Sequence, residues 1–228
     1  MHFLDRLRSP APSLVVNVDH PSPGLVEAIG KAGADAVFFD CEQGSPDIES
    51  VENMARAARL AGVPSLVRLW SREPWMIERM LLRGVDGIVV PRVDDAATAR
   101  LVVETVRYVL PSAHRDKLVV VQVESAEAVA AIDTLVAIEG IDVFFIGPVD
   151  LSKSMGFSGD FSGPEVAAAM DRVIDTVSRA GKRSGILVNE TTASAYAHRG
   201  VSFLYCHAND FLRLGLLDFK TSLQGLVR

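Results

Sequence analysis

At 228 residues, with 49% hydrophobic and 23% charged side chains, the chain carries enough apolar material for one large core and too much for a disordered segment. Its net charge of −6 argues against a nucleic-acid binder, which needs a basic stripe, yet leaves an anionic substrate open, because a local cation overrides the global charge. The two cysteines, Cys41 and Cys206, lack metal-type spacing; they do not indicate a disulfide scaffold, and they suit a reducing cytoplasm.

The N-terminal MHFLDRLRSPAPS has no long apolar stretch, so no signal peptide is expected. No run anywhere is long enough to cross a bilayer, and no membrane partner is expected. Short β-branched runs then recur at 14–18, 36–40, 65–69, 87–91, 118–124, 143–147, 184–188 and 201–205. Each is apolar nearly throughout, as strands buried on both faces of a parallel sheet must be. Segments with helical spacing lie between them, for example 48–62, 96–110 and 163–181. The stretch 111–117, PSAHRDK, reads as a polar loop.

Six helices end in glycine just before a strand: KAGAD, RLAGV, LRGVD, IEGID, RAGKR and HRGVS. Glycine adopts the left-handed conformation that stops a helix, so this is αβ punctuation. Eight such strands predict an α/β fold of the (β/α)8 TIM-barrel type, near the short end for that fold. An open doubly wound sheet is the alternative, but NVDHPSPG after the first strand has no GxGxxG phosphate loop. No composition break marks a linker, so 1–228 is expected to be a single barrel domain.

In this fold the site lies at the C-terminal ends of the strands. Glu124 closes VVVQVE and Asp150 closes VFFIGPVD, on consecutive strands. Two neighbouring carboxylates would hold one hard divalent cation and leave positions for substrate and water. The alternative, two ordinary surface acids, is weaker because each follows a strand. Arg68 ends the third strand; its fork suits a carboxylate or an enolate oxygen, and the competing reading is a salt bridge to one of several nearby acids. Gly147 lets the backbone approach a ligand, and the amides of Val149 and Asp150 after Pro148 can receive a carboxylate. Gln122, two residues before Glu124, joins the substrate-binding candidates. His20 and His207 follow the first and last strands, neighbours in a closed barrel, and either can act as a base near neutral pH, although an ordinary loop histidine is the commoner role. Cys41, between Asp40 and Glu42, is a poor nucleophile because neighbouring negative charge raises a thiol pKa.

Along most of its length the chain resembles the HpcH/HpaI aldolase family, the metal-dependent class II pyruvate aldolases. The likeness is densest in FFDCEQGSPDIES, VPSLVRL, GIVVPRVDDAATA and QVESAEAVAAIDTLVAIEGIDVFFIGPVDLSKSMG. The resemblance implies a barrel, usually hexameric as a trimer of dimers, with the C-terminal helix exchanged between subunits. It implies Mg2+, Mn2+ or Co2+ held by Glu124 and Asp150, Arg68 on the keto oxygen of pyruvate, and the amides after Gly147-Pro148 on its carboxylate. One departure stands out. The family reads D-x-E-H after the second strand, and its histidine positions the base water; here the segment is Asp40-Cys41-Glu42-Gln43. The family's partner aspartate, two residues before the glycine preceding the fourth strand, is Leu82. Gln43 can hold a water or hydroxyl but takes no proton at neutral pH.

The resemblance therefore implies a divalent-metal carbon–carbon lyase that cleaves a 4-hydroxy-2-oxo acid to pyruvate and an aldehyde through an enolate, with Arg68, Gln43 and His20 as catalytic candidates. Two alternatives remain: a decarboxylase of an oxaloacetate-like 2-oxo acid, which needs no hydroxyl base, and a non-catalytic 2-oxo-acid-binding barrel.

Overall fold

The computed structural model describes residues 4–223; the two ends of the expected domain, 1–3 and 224–228, lie outside the described residues. Eight parallel strands close in sequence order: β1 (Ser13–Asn17), β2 (Ala36–Asp40), β3 (Ser65–Arg68), β4 (Gly87–Val90), β5 (Leu118–Val123), β6 (Val143–Ile146), β7 (Arg183–Leu187) and β8 (Phe203–His207). Strand β8 returns to pair with β1, so the sheet has no edge. Helices run between the strands, and the expected (β/α)8 barrel is the observed architecture.

The helices form for local reasons. Asp47 and Asp95 cap the helices Ile48–Ala61 and Ala96–Val109 by accepting from the backbone N–H of Ser50 and Thr98, each at 2.8 Å. Such a cap contributes about 1 kcal/mol. All six glycines read as helix stops, Gly33, Gly62, Gly84, Gly140, Gly181 and Gly200, have positive φ. The stretch 111–117 departs slightly from a plain loop: His114–Asp116 makes one 3-10 turn.

Alternation along each strand splits the core in two. Side chains such as Val16, Val37, Val67 and Phe144 pack outward under the helices, whereas Val15, Phe38, Leu66, Val120, Phe145 and Tyr205 fill the barrel interior. Leu4 and Leu7, on and beside the short helix Asp5–Arg8, join the interior cluster and close its N-terminal end. Arg8 anchors that plug through Asp142 Oδ1 at 3.1 Å and the Lys117 carbonyl at 2.7 Å. The interior at the other end is left to polar side chains.

Strand β8 starts two residues later than its β-branched run predicts. The Val201 N–H is spent on the Tyr196 carbonyl at 3.1 Å, closing the helix Ala193–His198 around the left-handed Gly200. The later start changes no residue's facing, and His207 ends the strand instead of following it.

Candidate active site

Period-two alternation determines what reaches the C-terminal mouth. Continuing inward positions by one step takes Val15 to Asn17, Phe38 to Asp40, Leu66 to Arg68, Val120 to Gln122 and on to Glu124, and Tyr205 to His207. The register places Asp40 opposite Arg68 and Asn17 opposite His207. Apart from Asn17, these residues line a cavity of about 290 Å3, which Gly147 and Asp150 also line. Tyr205, edge-on to Phe38 at 4.8 Å and to Phe145 at 5.6 Å, helps form its apolar floor, and its hydroxyl accepts from Asn17 Nδ2 at 2.8 Å. A larger hollow of about 560 Å3 lies at the opposite end of the barrel, where Arg8 is engaged by Asp142 and Lys117 by the Val85 carbonyl.

Arg68 is both ligand-facing and paired. Its Nε and Nη2 grip Asp40 at 2.9 and 2.5 Å, and Nη1 meets Glu42 Oε2 at 3.0 Å. A guanidinium has five N–H donors, so this pairing orients the fork and leaves two donors for the cavity. Asp40 also accepts from the backbone N–H of Glu42 and Gln43, at 3.0 and 3.1 Å, which curls the β2 loop back over the strand end. Only glycine fits at Gly44, because a Cβ there would collide with the Asp40 carbonyl. Gln43 lies on that loop and lines the cavity. Burial, with Asp40 and Asp47 adding to it, pushes the Cys41 thiol up to about 12, far from thiolate chemistry.

Glu124 is buried, and its carboxyl is pushed up from 4.5 to about 7. Burial is the main cause; the Arg92 N–H opposes it, and the charges of Glu42 and Asp150 add to it. Oε1 accepts from the Arg92 N–H at 2.8 Å, which a left-handed turn at Arg92 (φ 53°) aims at it, and Oε2 accepts from Gln122 Nε2 at 3.0 Å. The other Gln122 amide atom, Oε1, is buried without a partner among the described residues. Gly147 backs this group closely: a Cβ there would lie 2.9 Å from Glu124 Oε2.

Asp150 sits in the first turn of the helix Pro148–Ser154 and also lines the cavity. Its Oδ1 meets Lys153 Nζ at 3.0 Å, and both side chains are about half exposed, so the contact is weak and yields easily. Pro148 has no N–H, and the N–H groups of Val149 and Asp150 have no acceptor among the described residues. Among the described residues no group of three or more His, Cys, Asp and Glu side chains is arranged to hold a metal ion. What the site offers is two carboxylates: one buried and short of positive charge, the other exposed and near it. With the unpartnered Gln122 oxygen beside them, this is an oxygen-donor set that fits a hard divalent cation.

His20 lies elsewhere. It is exposed, is not among the cavity-lining residues, and its backbone N–H bonds to the Val18 carbonyl at 2.7 Å. The left-handed Asp19 (φ 60°) turns the chain there. The histidine that lines the cavity is His207, whose Nδ1 lies 2.6 Å from Asp19 Oδ1. The pairing of Asp19 with His207 and the Arg92 N–H on Glu124 were not read from the sequence, and the Arg68 salt bridge was read only as a competing role, without its partners Asp40 and Glu42. The first had a signal: two polar residues ending strands that neighbour each other only if the barrel closes.

The arrangement defines a class: a closed (β/α)8 barrel whose C-terminal mouth combines clustered carboxylates with a clamped arginine. The chain belongs to the HpcH/HpaI aldolase/citrate lyase family, whose sequence profile matches residues 14–206. It is 30% identical to the hydroxypyruvate/pyruvate aldolase of Agrobacterium fabrum over 98% of this chain and 91% of that protein. It is 30% identical to the 4-hydroxy-2-oxo-heptane-1,7-dioate aldolase of Salmonella dublin over 89% and 86% of the two chains. Among solved structures, an HpcH/HpaI aldolase/citrate lyase family protein from Burkholderia cenocepacia superposes with a TM-score of 0.88 at 28% identity, each chain fully covered.

Proposed function

We propose that this protein is a divalent-metal-dependent aldolase that cleaves a 4-hydroxy-2-oxo acid to pyruvate and an aldehyde. The carrying observation is the cavity that gathers Glu124, Asp150 and Arg68 at one strand-end mouth. Family membership and the names of the relatives support the reaction class. Glu124 and Asp150 would hold Mg2+, Mn2+ or Co2+. When bound, such a cation supplies Lewis-acid polarisation of the 2-oxo group.

The chain's own residues do the rest. The two spare Arg68 N–H donors stabilise negative charge as it gathers on the former keto oxygen, and Asp40 and Glu42 hold the fork so that no reorganisation is needed. The N–H groups of Val149 and Asp150 receive the carboxylate. Gln122 and Gln43 offer amide groups to substrate hydroxyls or water. Phe38, Phe145 and Tyr205 keep the floor dry, which strengthens each of these contacts. The test is a pyruvate-release assay over a panel of 4-hydroxy-2-oxo acids with Mn2+, Mg2+ or Co2+. Release that EDTA abolishes and added metal restores is expected; no release from any member overturns the reading.

The assembly follows from the last helix, Ala208–Leu223. Ala208 is its only buried residue, while Phe211, Leu216, Leu217 and Phe219 are exposed, Phe219 by 73%. Beside its start an apolar groove of about 500 Å3 is lined by Leu14, Leu25, Ile29, Phe211 and Leu212. So much exposed apolar surface on one helix calls for a covering partner. A second copy of this chain, exchanging this helix within a trimer of dimers, supplies it. Light scattering is expected to give six protomer masses, and a monomer at micromolar concentration would remove this part of the reading. The buried thiols Cys41 and Cys206 suit a cytoplasmic location. No helix among the described residues is long and apolar enough to cross a membrane.

A further inference from the structure

The geometry points to His207, oriented by Asp19, as the general base that takes the proton of the substrate's C4 hydroxyl, a role resting on the aldolase reading above. Retro-aldol cleavage needs a proton acceptor at the C4 side, and few cavity-lining groups qualify. Asp40 is saturated by Arg68 and two backbone N–H groups. Glu124 and Asp150 are taken as the cation's carboxylates. The Lys153 ammonium has three donors and no lone pair to accept a proton. Gln43 accepts no proton. Burial raises the Tyr205 phenol well above its ordinary value, so its conjugate base is not available near neutral pH. One imidazole remains in the lining, that of His207.

The histidine is held as a working base should be. Its Nδ1 lies 2.6 Å from Asp19 Oδ1, which selects the tautomer that donates from Nδ1 and leaves the Nε2 lone pair open. Nε2 has no hydrogen-bond partner among the described residues. Asp19 is itself locked: its N–H donates to Asn17 Oδ1 at 3.0 Å, and its Oδ2 accepts from the Asn209 N–H at 2.8 Å. That grip holds a non-glycine residue at φ 60°, in the left-handed region that favours glycine. The imidazole also rests edge-on to Tyr205 with ring centroids 5.2 Å apart. Carboxylate, imidazole and open nitrogen thus stand in line at the cavity wall, on the seam where β8 meets β1 and far along the chain from the Gln43 loop.

The step balances. The C4 hydroxyl proton moves to His207 Nε2, the hydroxyl oxygen forms the aldehyde carbonyl, and the C3–C4 bond breaks. Its electron pair becomes the C2–C3 double bond of the enolate, whose oxygen faces Arg68. Asp19 stabilises the imidazolium meanwhile, and returning the proton to C3 gives pyruvate, with no net change in the enzyme. Asp19 is a positioning residue in this scheme.

The test compares turnover with ligand affinity in His207→Ala, His207→Gln and Asp19→Asn, using a substrate that the wild type cleaves. In His207→Ala, kcat for pyruvate release is expected to fall about 10^2–10^4-fold. Oxalate affinity, measured calorimetrically with Mn2+, is expected to change by less than about twofold, because the dyad does not bind the enolate side. Added imidazole should restore part of the His207→Ala rate and none of the His207→Gln rate, since glutamine fills the space. Asp19→Asn should lower kcat with KM unchanged. Wild-type kcat in His207→Ala overturns the base assignment and leaves the aldolase reading standing. Equal losses of kcat and oxalate affinity without imidazole rescue also overturn it, because they describe a structural residue. A wild type that binds oxalate yet cleaves no 4-hydroxy-2-oxo acid overturns both.

Discussion

Glu124→Gln is expected to abolish pyruvate release while making the cation-free protein more stable at pH 8. Burial, the strongest influence on Glu124, raises its carboxyl from 4.5 to about 7. Its charge is therefore about 3 kcal/mol less favourable in the folded chain than in the unfolded one. The sign follows from proton counting. Below about pH 4.5 both states hold the proton and glutamine changes nothing through this term. Between about 4.5 and 7 the folded state keeps a proton that the unfolded state has lost, so wild-type stability falls as pH rises. Above about 7 the whole penalty is present, and a neutral side chain avoids it. Glutamine keeps the contact to the Arg92 N–H, and the Gln122 amide can turn so that its unpartnered oxygen accepts from the new amide group. Urea melts in EDTA at pH 5 and pH 8 read the difference directly. Mn2+ at a thousand times its Kd should reverse the order, since a ligand at that concentration stabilises the binding-competent protein by about 4.1 kcal/mol. Equal stability of the two proteins at pH 8 in EDTA would show that Glu124 is not a strained charge, and a variant that still turns over would show that it is not a required one.

Arg68→Ala should lose both stability and activity, and Arg68→Lys should separate them. The guanidinium neutralises two carboxylates whose side chains are only 8% and 14% exposed, Asp40 and Glu42. Removing it leaves uncompensated buried charge, which costs about 3–5 kcal/mol. Burial already raises the Glu42 carboxyl despite Arg68, and without the guanidinium that rise grows. The deficit of the alanine variant should accordingly shrink as the pH is lowered, because protonating a carboxylate removes charge that no longer has a partner. Turnover should fall by about 10^2–10^3-fold, the usual loss when one donor to a developing oxyanion is removed. Lysine restores the positive charge but not the planar fork, so it should recover stability and little of the rate. A kcat near wild type in Arg68→Ala would confine Arg68 to a structural ion pair.

The barrel was legible because its signals are local. Apolar runs and helix-stopping glycines are short-range statements, and the eight strands and three helices delimited from the sequence lie within about two residues of those observed. The last strand is the instructive displacement. Gly200-Val201-Ser202 looks like the start of a strand, but the Val201 N–H closes the preceding helix instead. The N-terminal segment shows a different limit. MHFLDRLRSPAPS carries no marked pattern, yet Leu4 and Leu7 plug the barrel floor, a role that exists only once there is a floor to plug.

By itself the sequence determined the alternation of strands and helices, the polar residues that end the strands, and the absence of a histidine after the second one. These follow from hydrophobic period, glycine geometry and residue identity, which need no distant partner. Only the tertiary structure decided that Arg68 is clamped by Asp40 and Glu42, that burial outweighs the nearby Arg68 charge at Glu124, and that His207 and not His20 enters the cavity. Closure brings β8 beside β1, so Asp19 and His207 meet although 188 positions separate them. Charge, burial and proton affinity at that mouth are properties of neighbours in space, and a chain acquires those neighbours only by folding.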